Sequence, residues 1–302
     1  MSKENISDIL SPETLSQLAN YNLLAKVAVD SFVSGLHRSV NHGFGSEFFQ
    51  YRNYTSGDEL KYVDWKVFGK TDKFYTKVFY EETNFNCNIV LDASASLNYK
   101  GSRASCSKFH YSAMLAATLA YMASQQGDNP SLLCYNEKVI NHIPPSNSSG
   151  HIQRLLTSLS TIKPEKIGMH EKYLTYVTSA IRKKGMLVLI SDFLDADIDF
   201  ANLFKKLGFM YHDCIVIQVL DKDELDLPFE NTKNFIDSEN SNHIITAPNS
   251  IRSDYKKTIA EHIENFKDSC LDIGIDYVFC DTTESIGKVL ATYLHHKEGR
   301  SS

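Results

Sequence analysis

One stretch limits the fold more than any other: Asn88-Ile-Val-Leu-Asp92-Ala-Ser94-Ala-Ser96-Leu97. A short apolar run enters an aspartate, and serines then alternate. Such a run reads as a strand of a parallel sheet, buried on both faces. Open α/β sheets bind ligands beyond the carboxyl ends of their strands, so Asp92 falls where a ligand belongs. The alternation Asp-x-Ser-x-Ser puts one carboxylate and two hydroxyls on one side of a short loop. This all-oxygen set suits a hard dication such as Mg²⁺, which keeps several waters of its own. Asp and Ser are also ordinary turn and cap residues, so the pattern gains weight only from the rest of the chain.

That remainder alternates strand and helix. A helix is predicted over 108–126, with Ala113, Ala116, Ala117, Ala120 and Ala123 in one stripe and Gly127 as its stop. Segments 132–135 and 139–143 read as a hairpin. Helices are expected over 152–159 and 173–181, then a buried strand over 186–190 that ends in Ser191-Asp192. A helix over 200–207, stopped by Gly208, precedes a strand over 214–220. Residues 221–250 read as a polar β excursion, followed by a helix over 253–272, a last strand over 275–280 and a helix from Thr283. This order implies an α/β fold: a doubly wound, mostly parallel sheet with right-handed crossovers and helices on both faces. Two of its strands end in an aspartate, Asp92 and Asp192. If those strands are neighbours, the two carboxylates meet at one rim and repel unless a cation lies between them.

The N-terminal part differs. Ser11-Pro12-Glu13 is a helix start, and apolar residues from Leu15 to Phe32 continue one amphipathic helix that Gly35 should end. Over 40–83, glycines interrupt aromatics and charges, which reads as an aromatic plug held by Arg–Asp pairs. Residues 75–81 alternate like an edge strand leading into the sheet. The expected organisation is an extension over 1–83, the α/β domain over 84–296 with its 221–250 excursion, and a frayed tail over 297–302. A net charge of −6 without a Lys/Arg run argues against a nucleic-acid partner. The polar, acidic N-terminus does not read as a signal peptide, and no apolar run reaches the roughly 18 residues of a membrane span. No integral membrane segment and a cytoplasmic location are therefore expected. Six cysteines without a Cys-x-x-Cys pair, four of them (Cys87, Cys134, Cys214, Cys280) in or beside apolar runs, read as reduced, buried thiols.

At this point the sequence resembles a known family, domain-of-unknown-function 58, whose core is a von Willebrand factor A-like domain. The matching residues occur in order: Gly43-Phe-Gly45-Ser-Glu47-Phe48, Arg52-x-Tyr54-x-x-Gly57-Asp58, Val63-Asp64-Trp65, Glu81, Asp92-x-Ser94-x-Ser96, Lys108, Gly127-Asp128, Ser191-Asp192-Phe193, Asp221 to Glu224, Asp237 and Tyr255. They span about residues 12–295. Glu47, Arg52, Tyr54, Gly57, Asp58, Asp64 and Trp65 carry the extension's part of the match. Lys61, Lys70 and Leu97 depart from the family's usual Arg, Arg and Met.

The resemblance implies a metal-ion-dependent adhesion site, in which Asp92, Ser94, Ser96 and Asp192 hold Mg²⁺ or Mn²⁺ and a partner's carboxylate completes the coordination. It also implies a threonine just before Leu174. The stretch Gly168-Met-His170-Glu171-Lys172-Tyr173 has none, Thr175 comes later, and Lys172 adds positive charge. Either Glu171 or His170 substitutes, or the site is degenerate. The family is associated with MoxR-type AAA+ ATPases, acting in assembly or maturation of other proteins, and many members carry membrane spans before this domain.

Two functions follow. The first is a non-enzymatic protein-interaction module that works with such an ATPase. The second is a metal-assisted hydrolase using the same oxygens and a bound water. His110, His142, His151, His170 and His212 are candidate bases for the latter, but none falls in a motif. No Gly-x-Ser-x-Gly elbow and no phosphate-binding glycine loop occurs. The module is the expected function.

Overall fold

Ser11 opens the described chain as a cap, its side chain accepting from the Thr14 backbone N–H. Pro12 takes the first helical position, where its missing N–H costs nothing. The computed structural model describes residues 11–17, 20–39, 50–53, 69, 75–78, 85–180, 185–195, 198–210, 213–240 and 242–291. The single N-terminal helix expected from the sequence is two, α1 (Pro12–Ser16) and α2 (Tyr21–Ser39). Asn20 provides the new start, since its side chain accepts from the Asn22 N–H at 2.8 Å. Gly35 does not end α2, because a lone glycine weakens a helix without breaking it. By internal contacts the chain divides into two units, Met1–Gly35 with Phe85–Ser302, and Leu36–Asn84.

In the second unit, β1 (Gln50–Asn53) and β2 (Tyr75–Val78) form an antiparallel ribbon with Gln50 opposite Val78. β2 takes its ladder bonds from β1, so the strand expected to lead into the main sheet sits in a two-stranded sheet of its own. Arg52 lies in β1 opposite Thr76. Glu47, Tyr54, Gly57, Asp58, Asp64 and Trp65 lie outside the described residues, as do most of the expected aromatic plug and the 297–302 tail.

The first unit continues with β3 (Asn86–Asp92), α3 (Lys108–Gln125), β4 (Asn129–Tyr135), β5 (Val139–Ile143), α4 (His151–Thr161), α5 (His170–Ala180), β6 (Gly185–Ser191), α6 (Phe200–Met210) and β7 (Asp213–Leu220). After these come α7 (Lys222–Asp226), β8 (Lys233–Ile236), β9 (His243–Thr246), α8 (Pro248–Leu271) and β10 (Asp276–Asp281). Six of these strands make one sheet in the order β10-β7-β6-β3-β4-β5. All neighbours are parallel except β5, which turns back along β4. This is the doubly wound architecture that the alternation of strand and helix implied, and it is von Willebrand factor A-like, as the resemblance implied.

Strand periodicity sorts the core into two faces. Val90, Leu187, Leu189 and Val216 meet Tyr173 and Val177 of α5, Phe204 and Leu207 of α6, and Phe266 and Cys270 of α8. Alternate residues face α3, whose alanine stripe is wholly buried and lets the helix lie close to the sheet. β3, β4, β7 and β10 each carry one buried thiol, Cys87, Cys134, Cys214 and Cys280. α6 runs past Gly208 to Met210, and α8 begins at Pro248, earlier than 253. The 221–250 excursion holds the short helix α7 as well as the β8–β9 hairpin. From β3 the chain winds outward to β4, whereas from β6 it winds the opposite way to β7. The carboxyl edge between β3 and β6 is therefore the switch point, where such sheets bind ligands.

Candidate functional site

Asp92 ends β3, and Asp192 follows the last residue of β6, its neighbour in the sheet. Both are buried. One ligand atom each from Asp92, His170 and Asp192 lie within 4.8 Å of one another. The turn after β3 folds tightly because Asp92 Oδ1 accepts from the Ser94 N–H at 2.8 Å. Its backbone is then tied to the neighbouring loop, the Ala95 N–H donating to Lys166 O and the Glu165 N–H to Ala93 O. Ser94 and Ser96 thereby place their hydroxyl oxygens 3.0 Å apart beside the carboxylates.

The two aspartates are held differently. Asp92 Oδ2 accepts from Ser191 Oγ at 2.6 Å. Burial pushes the Asp92 carboxyl up; nearby His170 opposes this and Asp192 adds to it. Asp192 Oδ2 accepts from Lys108 Nζ at 2.9 Å, and the same ammonium donates to Glu224 Oε1 at 2.7 Å. Burial alone would raise Asp192, but Lys108 overrides it and holds the carboxyl below its ordinary value. Burial likewise opposes the Lys108 charge, and the two acids more than offset that, so the lysine stays protonated. Glu224 is presented by α7, where it completes a capping box by accepting from the Asp221 N–H. The Asp192 carbonyl accepts from Gln218 Nε2 at 2.7 Å, and Tyr277 donates to Gln218 at 2.6 Å.

His170 occupies the place where the resemblance calls for a threonine. Its Nε2 lies 3.7 Å from Asp92 Oδ2, too far for a hydrogen bond, and its Nδ1 pairs with the Tyr135 hydroxyl at 2.8 Å. With a proton on Nδ1 donated to Tyr135, Nε2 presents a lone pair to the rim. Gly168 makes room: a Cβ there would sit 3.1 Å from His170 Nε2 and 3.2 Å from Ser94 Cβ. Glu171 and Lys172 are exposed, and the Lys172 ammonium lies 5.1 Å from the centre of the Tyr173 ring. Of the two substitutes the sequence left open, His170 is the one at the rim. After Asp192 the chain turns sharply through Phe193, whose φ of 48° is unusual for a bulky residue. Its ring stacks on Phe266 at 5.2 Å, which pins the turn.

A fourth acid arrives from the β8–β9 hairpin. Glu239 Oε2 accepts from the Gly168 N–H at 3.2 Å, and its carboxylate lies on the same cleft as Ser96. Burial raises the Glu239 carboxyl against the pull of that N–H, and the negative Asp92 and Asp192 push the same way. A cleft of about 600 Å³ opens beside these groups, lined by Lys108, Glu224, Tyr255 and Glu239 among others.

The donor set fits a divalent cation. Ser96 Oγ lies 3.0 Å from Ser94 Oγ, and Ser96 helps to lower both the Asp192 and the Glu239 carboxyl, so the two hydroxyls and the acids crowd one rim. The 3.0 Å between the serine oxygens also matches the edge between adjacent ligands of an octahedron at Mg²⁺ distances, roughly 3.0 Å. Lys108 is buried and pairs with two acids, Asp192 and Glu224, while Asp92 and Glu239 add two more carboxyls to the same rim. A dication would restore that balance.

The four site residues predicted from sequence, Asp92, Ser94, Ser96 and Asp192, come together here. Lys108, Ser191, Glu224 and Glu239 were not foreseen as part of the site. Lys108 did carry a signal, because a cation in the first turn opposes the helix dipole and calls for a carboxylate elsewhere.

A family model described as "Protein of unknown function DUF58" matches residues 50–265. Uncharacterized protein Rv1480 of Mycobacterium tuberculosis and Uncharacterized protein Mb1516 of Mycobacterium bovis are each 27% identical over 225 residues, covering 73% of this chain and 69% of theirs. Among solved structures, conserved hypothetical protein BatB from Bacteroides thetaiotaomicron is similar at 16% identity and a TM-score of 0.45, over 70% of this chain and 98% of that one. The SpRpn10 VWA domain is similar at 8% identity and a TM-score of 0.41, over 69% and 94%.

Proposed function

Because this chain belongs to the DUF58 family of proteins of unknown function, we propose that it is a non-enzymatic protein-interaction module with a modified metal-ion-dependent adhesion site. Asp92, Ser94, Ser96, His170 and Asp192 would hold the cation, and a partner's carboxylate would complete it. When bound, the cation supplies an open position for an anionic oxygen. The observation that carries this reading is the convergence of one ligand atom each from Asp92, His170 and Asp192 within 4.8 Å, beside the Ser94 and Ser96 hydroxyls. The protein's own groups prepare the rim. Ser191 and the Ser94 N–H orient Asp92, Lys108 keeps Asp192 ionised, and Tyr135 orients the His170 ring through Nδ1. Imidazole in place of a hydroxyl favours a softer ion than Mg²⁺, so Mn²⁺ is the better occupant. A MoxR-type AAA+ ATPase is the proposed partner, supplying work for the assembly or maturation of a client protein. No described helix is long and apolar enough to cross a membrane.

Titration calorimetry with Mn²⁺ and Mg²⁺ tests the cation. Wild type should bind Mn²⁺ more tightly, and Asp92→Asn should bind neither. Saturation at about 100 times Kd should stabilise the wild type by about 2.7 kcal/mol, read as a higher Tm that Asp92→Asn does not show. No heat with either ion on folded wild type would end the cation reading. Co-purification with a MoxR-type ATPase in apo, ADP and ATP states tests the partner, and no complex in any of them would remove it.

A further inference from the structure

The β8–β9 hairpin is held loosely. Ile236, Ile244 and Ile245 on its two strands are 66–68% exposed, so it has little apolar anchorage. Its turn is nonetheless well defined. Asp237 Oδ1 accepts from the Glu239 N–H at 2.8 Å and the Asn240 N–H at 3.3 Å, and Asp237 Oδ2 accepts from Asn240 Nδ2 at 3.2 Å. The Asp237 N–H closes the loop on Asn242 O at 2.7 Å. Asp237, Ser238 and Asn240 are exposed around it, while Glu239 alone is half-buried, its carboxylate at the Gly168 N–H on the cleft that Ser96, His170 and Asp192 also line. A turn built this firmly on a weakly packed hairpin delivers one acidic side chain to one place.

Resting on the divalent-cation reading above, we propose that Glu239 is an internal ligand of the adhesion rim: it fills the position a partner's carboxylate would take, and a partner's acid binds by displacing the hairpin tip. Glu239 has what that position requires. It is a carboxylate, it shares a cleft with the motif serine Ser96, and it is carried on an element that can leave without unfolding the sheet. A tethered ligand acts at an effective concentration of the order of millimolar. Free acids that bind more weakly than this therefore compete poorly with it, and the module is selective for a partner that engages more than one carboxylate.

The test uses the full chain and Mn²⁺ alone. Affinity comes from electron paramagnetic resonance titration, and the number of waters on the ion from water-proton relaxation. Glu239→Gln and Glu239→Asp lie in a solvent-facing turn and should fold. Both should bind Mn²⁺ about tenfold more weakly and with one more exchangeable water than wild type. The Asp variant keeps the charge, so a purely electrostatic role would leave it like wild type. Asp237→Ala, which loosens the turn but keeps Glu239, should fall between. Fluorescence anisotropy of a labelled peptide bearing one glutamate, with Mn²⁺ present, should show at least tenfold tighter binding to Glu239→Gln than to wild type. Unchanged Mn²⁺ affinity and water count in both Glu239 variants would overturn the proposal and leave the cation site standing, with Glu239 only an acceptor for Gly168. No Mn²⁺ bound by wild type would overturn both.

Discussion

At the scale of single residues, the arrangement turns on Lys108. It is fully buried at the first position of α3, and its ammonium joins Asp192 to Glu224. Removing one member of a buried ion cluster leaves the others charged and unpaired, which costs about 3–5 kcal/mol. Lys108→Met should lower the unfolding free energy measured by urea titration by that amount. Adding Asp192→Asn and Glu224→Gln to it should recover much of the loss, because no bare charge then remains. Gly168→Ala is a finer probe. The added methyl meets His170 Nε2 at 3.1 Å and Ser94 Cβ at 3.2 Å, so the imidazole or the serine turn must shift. Stability should fall by only about 1–2 kcal/mol, whereas Mn²⁺ affinity measured by calorimetry should fall at least tenfold. The aspartates and serines were legible because they end strands in a recognisable spacing. Glu224 and Glu239 were not, because each reaches the rim from an element whose position depends on the whole fold.

At the scale of elements, boundaries were set by local chemistry that composition understates. One asparagine side chain, Asn20, divides what periodicity reads as a single helix. Gly208 and Gly35 fail to stop helices because neither position demands a left-handed backbone. Gly127 and Gly274 do mark ends, with φ of 83° and 74°. Alternation in β2 identified a strand but not its partner, since a strand's own sequence does not say which edge it pairs with. The β8–β9 hairpin was visible as a polar excursion, and its inward-facing glutamate was not. Its exposed isoleucines contribute little to folding, so Ile244→Ser should change the unfolding free energy by no more than about 0.5 kcal/mol. A larger loss in a urea titration would mean the hairpin is packed more firmly than its exposure indicates.

At the scale of the whole molecule, the sheet was readable from sequence because strand and helix patterns alternate and parallel strands crossing through helices admit few topologies. Its carboxyl side is laced by charges. Asp226 of α7 accepts from Lys256 Nζ and Arg103 Nη1, both at 2.8 Å, tying the loop before α3 to α7 and α8. The Lys256 and Arg103 bonds take its carboxyl down to about 2, against roughly 3.9 in an unfolded chain. A depressed folded value gives stability that is full above pH 4 and lost as pH falls toward 2. These groups are partly solvent-exposed, so the contribution is about 0.5–1 kcal/mol. Asp226→Asn should lose that amount at pH 7 and show a flatter decline in urea midpoint between pH 4 and 2.

The sulfur atoms have a practical consequence. Cys87, Cys134, Cys214 and Cys280 sit in four separate strands, Cys106 in the loop before α3 and Cys270 near the end of α8, all six out of solvent. Burial pushes the Cys106 and Cys270 thiols up to about 11 and about 12, so in the intact molecule they are poor nucleophiles at neutral pH. An alkylating reagent can mark each one only while its surroundings are open. Timed labelling followed by mass spectrometry should therefore record the order in which the molecule comes apart, Cys106 first and the strand thiols together and last.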